Sequence, residues 1–478
     1  MLASELFGNK WLEEHADIDI TGISYDSRNI LPGNVFVCIK GYETDGHKFA
    51  QMAEKNGAAV IVAEDKIDVG VPVWYVDNSR RAIAEMACCY YDNPSKKFRL
   101  VGVTGTNGKT TTTYLIKSII ETAGMRVGVI GTNQNIIGDK VLVTQSTTPT
   151  TPNALELQQL FAEMVEGNAE CVVMEVSSHA LELERVHGCH FDVGVFTNLT
   201  RDHLDFHKTM ENYFKAKTKL FDISDRGVVN YDDNSGKQIA ENADCDVIKA
   251  GLDDDCELKA KNIKISARGV DFDVDYEDRT YPVRIAIPGK FSVYNAVCAM
   301  GAALQLGIDM DTIIKGLEKA SGVMGRVEVV PTDTDYTVII DYAHTPDGLE
   351  NIIRAVKEFA KGRVITLFGC GGDRDSTKRP IMGEIAGQLS DFSIITSDNP
   401  RTEDPLKIID EIEIGIKNTD GKYTVIADRR EAIGYALDNA MKDDVIILAG
   451  KGQETYQIIG KEKYDFDERV EVYRHLRR

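Results

Sequence analysis

Apolar residues along this chain gather into short runs separated by helix-period stretches. Val127–Ile130, Cys171–Val176, Val193–Thr197 and Val228–Asn230 read as buried strands, and Lys109–Ala123, Pro152–Val165 and Glu211–Phe221 carry helical spacing. That alternation predicts a mostly parallel sheet with helices on its faces. Val270-Asp-Phe-Asp-Val-Asp-Tyr276 alternates strictly, which predicts a half-buried antiparallel strand in a hairpin ending near Ile287. A helix from Ser292 to Leu306 follows. From about Val323 the first pattern restarts, with strands at Thr337–Asp341, Val364–Gly369, Ser393–Ser397, Thr424–Ile426 and Val445–Ala449. A doubly wound α/β arrangement is expected there. Ahead of all this, residues 1–97 mix strands at Val35–Ile39 and Ala58–Val62 with a helix near Phe49–Lys55. They close on the polar linker Asp92-Asn-Pro-Ser-Lys-Lys97.

A chain of 478 residues is too long for one core. The expected fold class is α/β in three domains: an N-terminal α/β domain (1–97), a central mononucleotide-binding α/β domain (98–323) and a C-terminal Rossmann-like doubly wound domain (324–478). The net charge of -21 argues against a nucleic-acid or anionic-membrane binder. It leaves room for an anionic substrate in a locally basic cleft. No apolar run approaches a membrane span, and Met1 to Glu14 carry no signal-peptide pattern. The nine cysteines lack metal-ligand spacing and read as reduced thiols of a cytoplasmic protein.

Candidate chemistry is densest in Val101-Gly-Val-Thr-Gly-Thr-Asn-Gly-Lys-Thr-Thr111, where an apolar strand runs through a Gly-rich turn into a helical pattern. Such a turn is suited to phosphate: backbone N–H groups and the helix N-terminus face the oxygens, Lys109 adds a charge and the Thr110 hydroxyl can ligate Mg²⁺. The usual earlier glycine is replaced by Val103, so this is a variant of the common P-loop. In the last domain, four predicted strands each run into a polar or Gly-rich segment: Asp341-Tyr-Ala-His344, Gly369-Cys-Gly-Gly-Asp-Arg374, Ser397-Asp-Asn-Pro-Arg401 and Gly450-Lys-Gly-Gln-Glu454. Ligands of doubly wound folds bind outside the carboxyl ends of the strands, so these loops predict a second site.

In chain order the motifs are Asp26-Ser-Arg28 with Pro32-Gly33, Asp45-Gly-His47, Thr104–Thr111, Ser146-Thr-Thr-Pro149, Glu175-Val-Ser-Ser-His179 and Asn198-Leu-Thr-Arg-Asp-His-Leu-Asp205. Tyr213 through Lys217, Asn295, Gly325-Arg326 and the four C-terminal loops follow. Over essentially its whole length the chain resembles the Mur ligases. The resemblance implies ATP-driven amide formation, in which the terminal carboxylate of UDP-MurNAc-L-Ala-D-Glu is phosphorylated and then attacked by an amine. It implies an ATP site at Gly105, Thr106, Asn107, Gly108, Lys109, Thr110, Thr111, Asn295 and Arg326. Mg²⁺ would sit with Thr110, Glu175 and His203, and Lys217 would be carbamylated (N6-carboxylysine). Lys109, Lys217, His203 and Glu175 would be the catalytic set. Ser27, Thr147, Thr148, Ser177 and Arg185 would hold the UDP-linked dipeptide.

Arg374, Asp398, Asn399, Arg401, Gly450 and Glu454 would bind the incoming amino acid. The Asp-Asn-Pro-Arg motif points to meso-diaminopimelate, whose distal carboxylate suits a bidentate Arg; L-lysine is the alternative. The implied partners are small molecules only, and a monomer is expected.

Simpler readings exist for several of these residues. Lys217, between Lys215 and Lys219, could belong to a solvated basic face. Arg401 could pair with Glu403 or Asp404, and Ser177 could be a helix cap. A P-loop kinase or nucleotide switch would account for Thr104–Thr111 but not for the C-terminal loops. A folylpolyglutamate-type synthetase would lack the Asp26-Ser-Arg28 segment.

Overall fold

The computed structural model describes the chain except residues 9–14, 16, 42–43, 144–147, 149, 321 and 478. Two compact units emerge: residues 1–256 with 298–313, and residues 257–297 with 314–478.

The first unit opens with a parallel four-stranded sheet, β1 (Gly22–Ser24), β2 (Asn34–Val37), β3 (Val60–Ala63) and β4 (Val73–Tyr75), in sequential order. Every residue of β2 and β3 is buried, because apolar clusters cover both faces. Next come β5 (Arg99–Thr104), β6 (Val127–Ile130), β7 (Asn135–Ile137), β8 (Lys140–Leu142), β9 (Cys171–Glu175), β10 (Phe191–Phe196), β11 (Ser224–Asn230) and β12 (Asp246–Gly251). Their order in the sheet is β12-β11-β10-β5-β9-β6-β7-β8. Pairing is parallel except at β6-β7 and β7-β8. The carboxyl ends of β5, β9 and β10 therefore emerge side by side.

The second unit contains the meander β13 (Leu258–Ser266), β14 (Gly269–Tyr276) and β15 (Arg279–Ile285), where Val270, Phe272 and Val274 are buried as the alternation predicts. Its main sheet comprises β16 (Glu328–Val330), β17 (Thr337–Asp341), β18 (Val364–Phe368), β19 (Phe392–Ile395), β20 (Tyr423–Val425) and β21 (Val445–Ala449), in the order β16-β17-β21-β18-β19-β20. Only β16 is antiparallel. Apolar clusters fill both faces, and a hairpin, β22 (Tyr456–Ile459) with β23 (Glu462–Asp465), follows β21.

The predicted strands are all present; Val127–Ile130, Thr337–Asp341 and Val445–Ala449 keep their expected bounds, and the ends of the others differ by one to a few residues. The periodicity overruns at Val176, Gly369 and Ser397, where β9, β18 and β19 stop at Glu175, Phe368 and Ile395. In each case the backbone leaves the ladder to enter a functional loop. Strands β1, β4, β12, β13 and β16 and the hairpins at β7-β8 and β22-β23 carry no clear periodic signal in the sequence, being short, partly polar or on sheet edges. All nine cysteines are free, as expected. Among the described residues no helix is long and apolar enough to cross a membrane.

Beneath β21 lies an ion pair with no exposure on either side, Arg429–Glu468 at 2.7 Å. Arg429 also donates to the Ala449 carbonyl (2.8 Å), and burial raises the Glu468 pKa. Removing one partner strands a buried charge. Arg429→Met should therefore destabilise the unit by about 3–5 kcal/mol, and Arg429→Met with Glu468→Leu by much less. The urea midpoints of the two variants check this.

Candidate active site

The Gly-rich turn joins β5 to the helix Lys109–Thr122. Gly105 has φ 149°, and a Cβ there would lie 1.9 Å from Thr197 Oγ1, so no other residue fits without moving the end of β10. That end braces the turn: Thr106 N–H donates to the Asn198 carbonyl (2.9 Å) and Asn107 N–H to Asn198 Oδ1 (2.9 Å). Gly108 caps the helix in a left-handed conformation. The Lys109 ammonium donates to the Gly105 (3.0 Å) and Thr106 (2.9 Å) carbonyls, which keeps it along the turn. Val103 is a buried strand residue, which accounts for the variant spacing.

Lys217 lies under this turn. It is 1% exposed, whereas Lys215 and Lys219 are 66% and 43% exposed and pair with Glu211 and Glu182. The basic-face reading therefore fails for Lys217. Its Nζ donates to the Gly105 carbonyl (2.8 Å) and sits 4.6 Å from the centre of the Tyr213 ring. Burial, followed by the nearby Lys109 charge, lowers its pKa well below the ordinary lysine value.

Glu175 ends β9 and is 1% exposed. Its Oε1 accepts from the Thr110 hydroxyl (2.9 Å) and Thr132 N–H (2.9 Å), and its Oε2 from the Thr132 hydroxyl (3.1 Å). Thr110 and Glu175 thus meet as expected. His203 bonds to neither. It has φ 52°, and its ring packs against His179 (4.9 Å) and Tyr213 (6.0 Å). Tyr213 Oη lies 3.1 Å from Thr106 Oγ1, so this ring cluster abuts the turn. Burial, then His203, lowers the His179 pKa to about 4, keeping that imidazole neutral.

Thr151, which the sequence reading passed over, organises the next group. Its buried hydroxyl donates to the Glu175 carbonyl (2.9 Å) and accepts from Ser177 N–H (3.0 Å). Its carbonyl accepts from Arg185 Nη1 (3.0 Å) and the Thr148 hydroxyl (3.3 Å). Thr148, Ser177 and Arg185 are thereby gathered; Thr147 lies outside the described residues. Ser177 Oγ also caps the helix Ser178–Glu182, so the cap reading of that serine holds. Ser27 is buried at the start of a short 3₁₀ turn capped by Asp26. Nearby, Tyr25 Oη bonds to Glu156, and burial raises both pKa values.

Asp45, His47 and Asp65 cluster at metal-ligand spacing. Both ring nitrogens of His47 are already engaged, Nδ1 with Asp45 (2.6 Å) and Nε2 by the N–H groups of Glu64 (3.0 Å) and Asp65 (3.1 Å). The ring is a strut that joins loops.

In the second unit, parallel β17, β21, β18 and β19 bring the predicted loops to one edge. Lys451, fully buried, donates to Asn399 Oδ1 and Glu454 Oε2 (both 3.2 Å), and Asn399 Nδ2 donates to Glu454 Oε2 (2.8 Å). Asp398 Oδ1 accepts from Asn399 N–H, and a Cβ on Gly450 would lie 2.8 Å from Asp398 Oδ2. Arg401 has φ 51°, an uncommon conformation for a side-chain-bearing residue, and is held by backbone bonds to Ile458 and Gly460. Its Nη1 donates to the Gly372 carbonyl (2.8 Å). The pairing of Arg401 with Glu403 or Asp404 does not occur: Glu403 pairs with Arg379, and Asp404 caps the helix Pro405–Ile416. A Cβ on Gly371 would lie 2.9 Å from Arg401 Nη1 and 3.9 Å from Arg374 Cγ, so both arginines flank that residue. Among the described residues neither has a carboxylate partner. Asn295 is buried in its helix, and Arg326 stacks 5.2 Å from the Tyr342 ring centre.

Family models match along the chain: "Mur ligase family, catalytic domain" at residues 19–91, "Mur ligase middle domain" at 103–303 and "Mur ligase, glutamate ligase domain" at 325–452. The chain is 51% identical over 458 residues to UDP-N-acetylmuramoyl-L-alanyl-D-glutamate–2,6-diaminopimelate ligase 1 of Clostridium acetobutylicum, covering 95% of this chain and 94% of that protein. It is 50% identical over 461 residues to the ligase of the same name from Caldanaerobacter subterraneus subsp. tengcongensis, covering 96% and 95%. A solved structure of a ligase so named superposes with a TM-score of 0.76 at 32% identity, covering 100% of this chain and 99% of that one. With its three matched domains, its phosphate-type turn and its C-terminal loop cluster, this chain belongs to the Mur ligase family.

Proposed function

We propose that the chain is an ATP-driven amide ligase that adds meso-diaminopimelate to UDP-MurNAc-L-Ala-D-Glu in cytoplasmic peptidoglycan precursor synthesis. The observation that carries the choice of amino acid is the pair Arg374 and Arg401 flanking Gly371. Two cationic side chains beside one loop residue, neither with a carboxylate at ion-pair distance among the described residues, favour an anionic ligand, and the distal carboxylate of diaminopimelate is one. The near-complete match to relatives named for that substrate supports the same reading.

Residues 1–97 would hold the uridine end, with Ser27 at that contact, and residues 98–323 the ATP. Thr148, Ser177 and Arg185 would hold the dipeptide, with Thr147 beside them. The Gly105–Thr111 turn would receive the phosphates, its N–H groups and Lys109 neutralising charge as the γ-phosphoryl passes to the D-Glu carboxylate. Asn295 and Arg326 would complete the nucleotide contacts. Thr110 and Glu175 offer hard oxygen donors, a set that suits Mg²⁺, with His203 proposed as the further contact. Such an ion, when bound, would supply charge neutralisation at the phosphates.

Within residues 324–478, Glu454 and Gly450 would hold the ammonium and carboxylate end of the incoming amino acid. Arg374 and Asn399 would support Arg401 on the distal carboxylate, with Asp398 lining the same pocket. The attack forms a C–N bond, phosphate leaves with the C–O pair, and the ammonium proton is lost to solvent. Lys217 would be carbamylated by CO₂, a reaction that requires the neutral amine, which burial and the nearby Lys109 charge favour.

Lys109→Ala should lower kcat/KM by more than about 100-fold. The melting temperature should stay close to that of the parent, since Lys109 is half-exposed and belongs to no core cluster. Steady-state ADP release and a thermal melt decide this. With ¹³C-bicarbonate, the enzyme should show a carbamate carbon resonance that vanishes in Lys217→Ala; an unchanged spectrum would refute carbamylation at this lysine. A site built around an Arg–carboxylate pair worth about 2–5 kcal/mol should prefer meso-diaminopimelate over L-lysine by at least about 30-fold in kcat/KM. Arg401→Ala should lower that ratio by harming the diaminopimelate reaction. Equal use of L-lysine by the parent enzyme would overturn the choice of amino acid.

A further inference from the structure

Arg379 is 1% exposed and belongs to none of the sites described above. It lies in the helix Lys378–Leu389, directly after the Gly369–Arg374 loop. Its Nη1 and Nη2 reach the two oxygens of Glu403, both at 2.9 Å, in a fork-to-fork pair. Nη1 also meets Glu411 Oε2 (2.9 Å), and Nη2 donates to the Gly371 carbonyl (3.3 Å). Glu403 in turn accepts from Asp373 N–H (2.5 Å). One buried guanidinium is thus tied to the Asp398–Arg401 loop through Glu403, and to the Gly369–Arg374 loop through Gly371 and Asp373.

The same two loops are pressed together elsewhere. A Cβ on Gly372 would lie 1.9 Å from the Pro400 carbonyl, and Asp373 accepts from the Thr402 hydroxyl (2.7 Å) and N–H (3.2 Å). Asp373 and Arg401 both have positive φ, so the contacts around them hold an unfavourable backbone conformation. Arg379 is buried while its partners Glu403 and Glu411 are partly exposed, and a two-pronged pair of this kind fixes the relative placement of the segments it joins. Here the geometry concerned is the gap between Arg374 and Arg401.

We propose that Arg379 and Glu403 are positioning residues that set the separation of Arg374 and Arg401, and through it the affinity for the distal carboxylate of the amino-acid substrate. Neither touches the substrate; both act through the two loops. This rests on the assignment of Arg401 to that carboxylate.

The test is a two-residue cycle on the full-length enzyme: parent, Glu403→Gln, Arg401→Ala and the double variant. KM for meso-diaminopimelate, ATP and UDP-MurNAc-L-Ala-D-Glu, kcat and thermal melts are measured for each. Misplacement of a binding group by about 1 Å can cost about 100-fold, so Glu403→Gln should raise KM for meso-diaminopimelate about 10- to 100-fold. It should leave kcat and the other two KM values near those of the parent. In the Arg401→Ala background it should add nothing.

An unchanged KM in Glu403→Gln, or effects of the two substitutions that multiply, would overturn the positioning role. So would a parallel rise in all three KM values with a falling melting temperature, which marks a merely structural strut. If Arg401→Ala itself leaves the KM for meso-diaminopimelate unchanged, the underlying carboxylate assignment fails instead. Should Glu403→Gln not fold, Arg379→Lys replaces it in the same cycle, since it keeps the charge but loses the fork. Failure of both variants to fold would also assign the pair to stability alone and overturn the proposal.

Discussion

Parallel strand pairing is the constraint on which the loop cluster of each unit depends. Neighbouring parallel strands end at the same edge, so whatever follows them in sequence is brought together however far apart it lies along the chain. In the first unit this joins Gly105 after β5, Glu175 at the end of β9 and Thr197 after β10. In the second it joins the loops after β17, β18, β19 and β21, which span residues 341 to 454. The close approaches at Gly105 and Gly372 are consequences, because loops leaving one edge compete for the same space and only glycine yields it.

Much of this is legible in the sequence. The apolar runs mark the strands, and the Gly-rich or polar residues just beyond them mark the edge. Lys217 was also more legible than a local reading suggested. Tyr213, Lys217 and Leu220 follow helical spacing, so Lys217 lies on the buried stripe with Tyr213 and Leu220 while Lys215 and Lys219 point away. The motif supplied the residue, and the periodicity could have supplied its burial.

Other features depend on distances that spacing does not encode. Glu403 lies two residues from Arg401, the natural sequence-level partner, yet it bonds to Arg379 on a preceding helix. Thr132 and Thr151 hold Glu175 and Ser177 through hydroxyl bonds, and a threonine in a polar loop gives no sign of which buried group it will meet. The Asp45, His47 and Asp65 cluster shows the converse case. Its composition suggests a metal, and only the two backbone donors to Nε2 reveal a structural ring.

Buried cations divide by their partners, and the division separates scaffold from chemistry. Arg429, Arg379 and Lys451 are all fully buried, and each has a carboxylate within ion-pair distance: Glu468, Glu403 and Glu454. Such pairs hold loops in place. Lys217 is equally buried, but among the described residues it has no carboxylate at that distance, only the Gly105 carbonyl and the Tyr213 ring. A lone buried amine relieves its desolvation by shedding the proton, and the neighbouring Lys109 charge pushes the same way. The neutral form is the one able to react with CO₂, and the product would carry a negative charge close to Lys109. The burial that makes an unpaired ammonium unfavourable at this position thus favours the neutral amine that the proposed carbamylation requires, while Lys109 offers the positive charge that an anionic product would need.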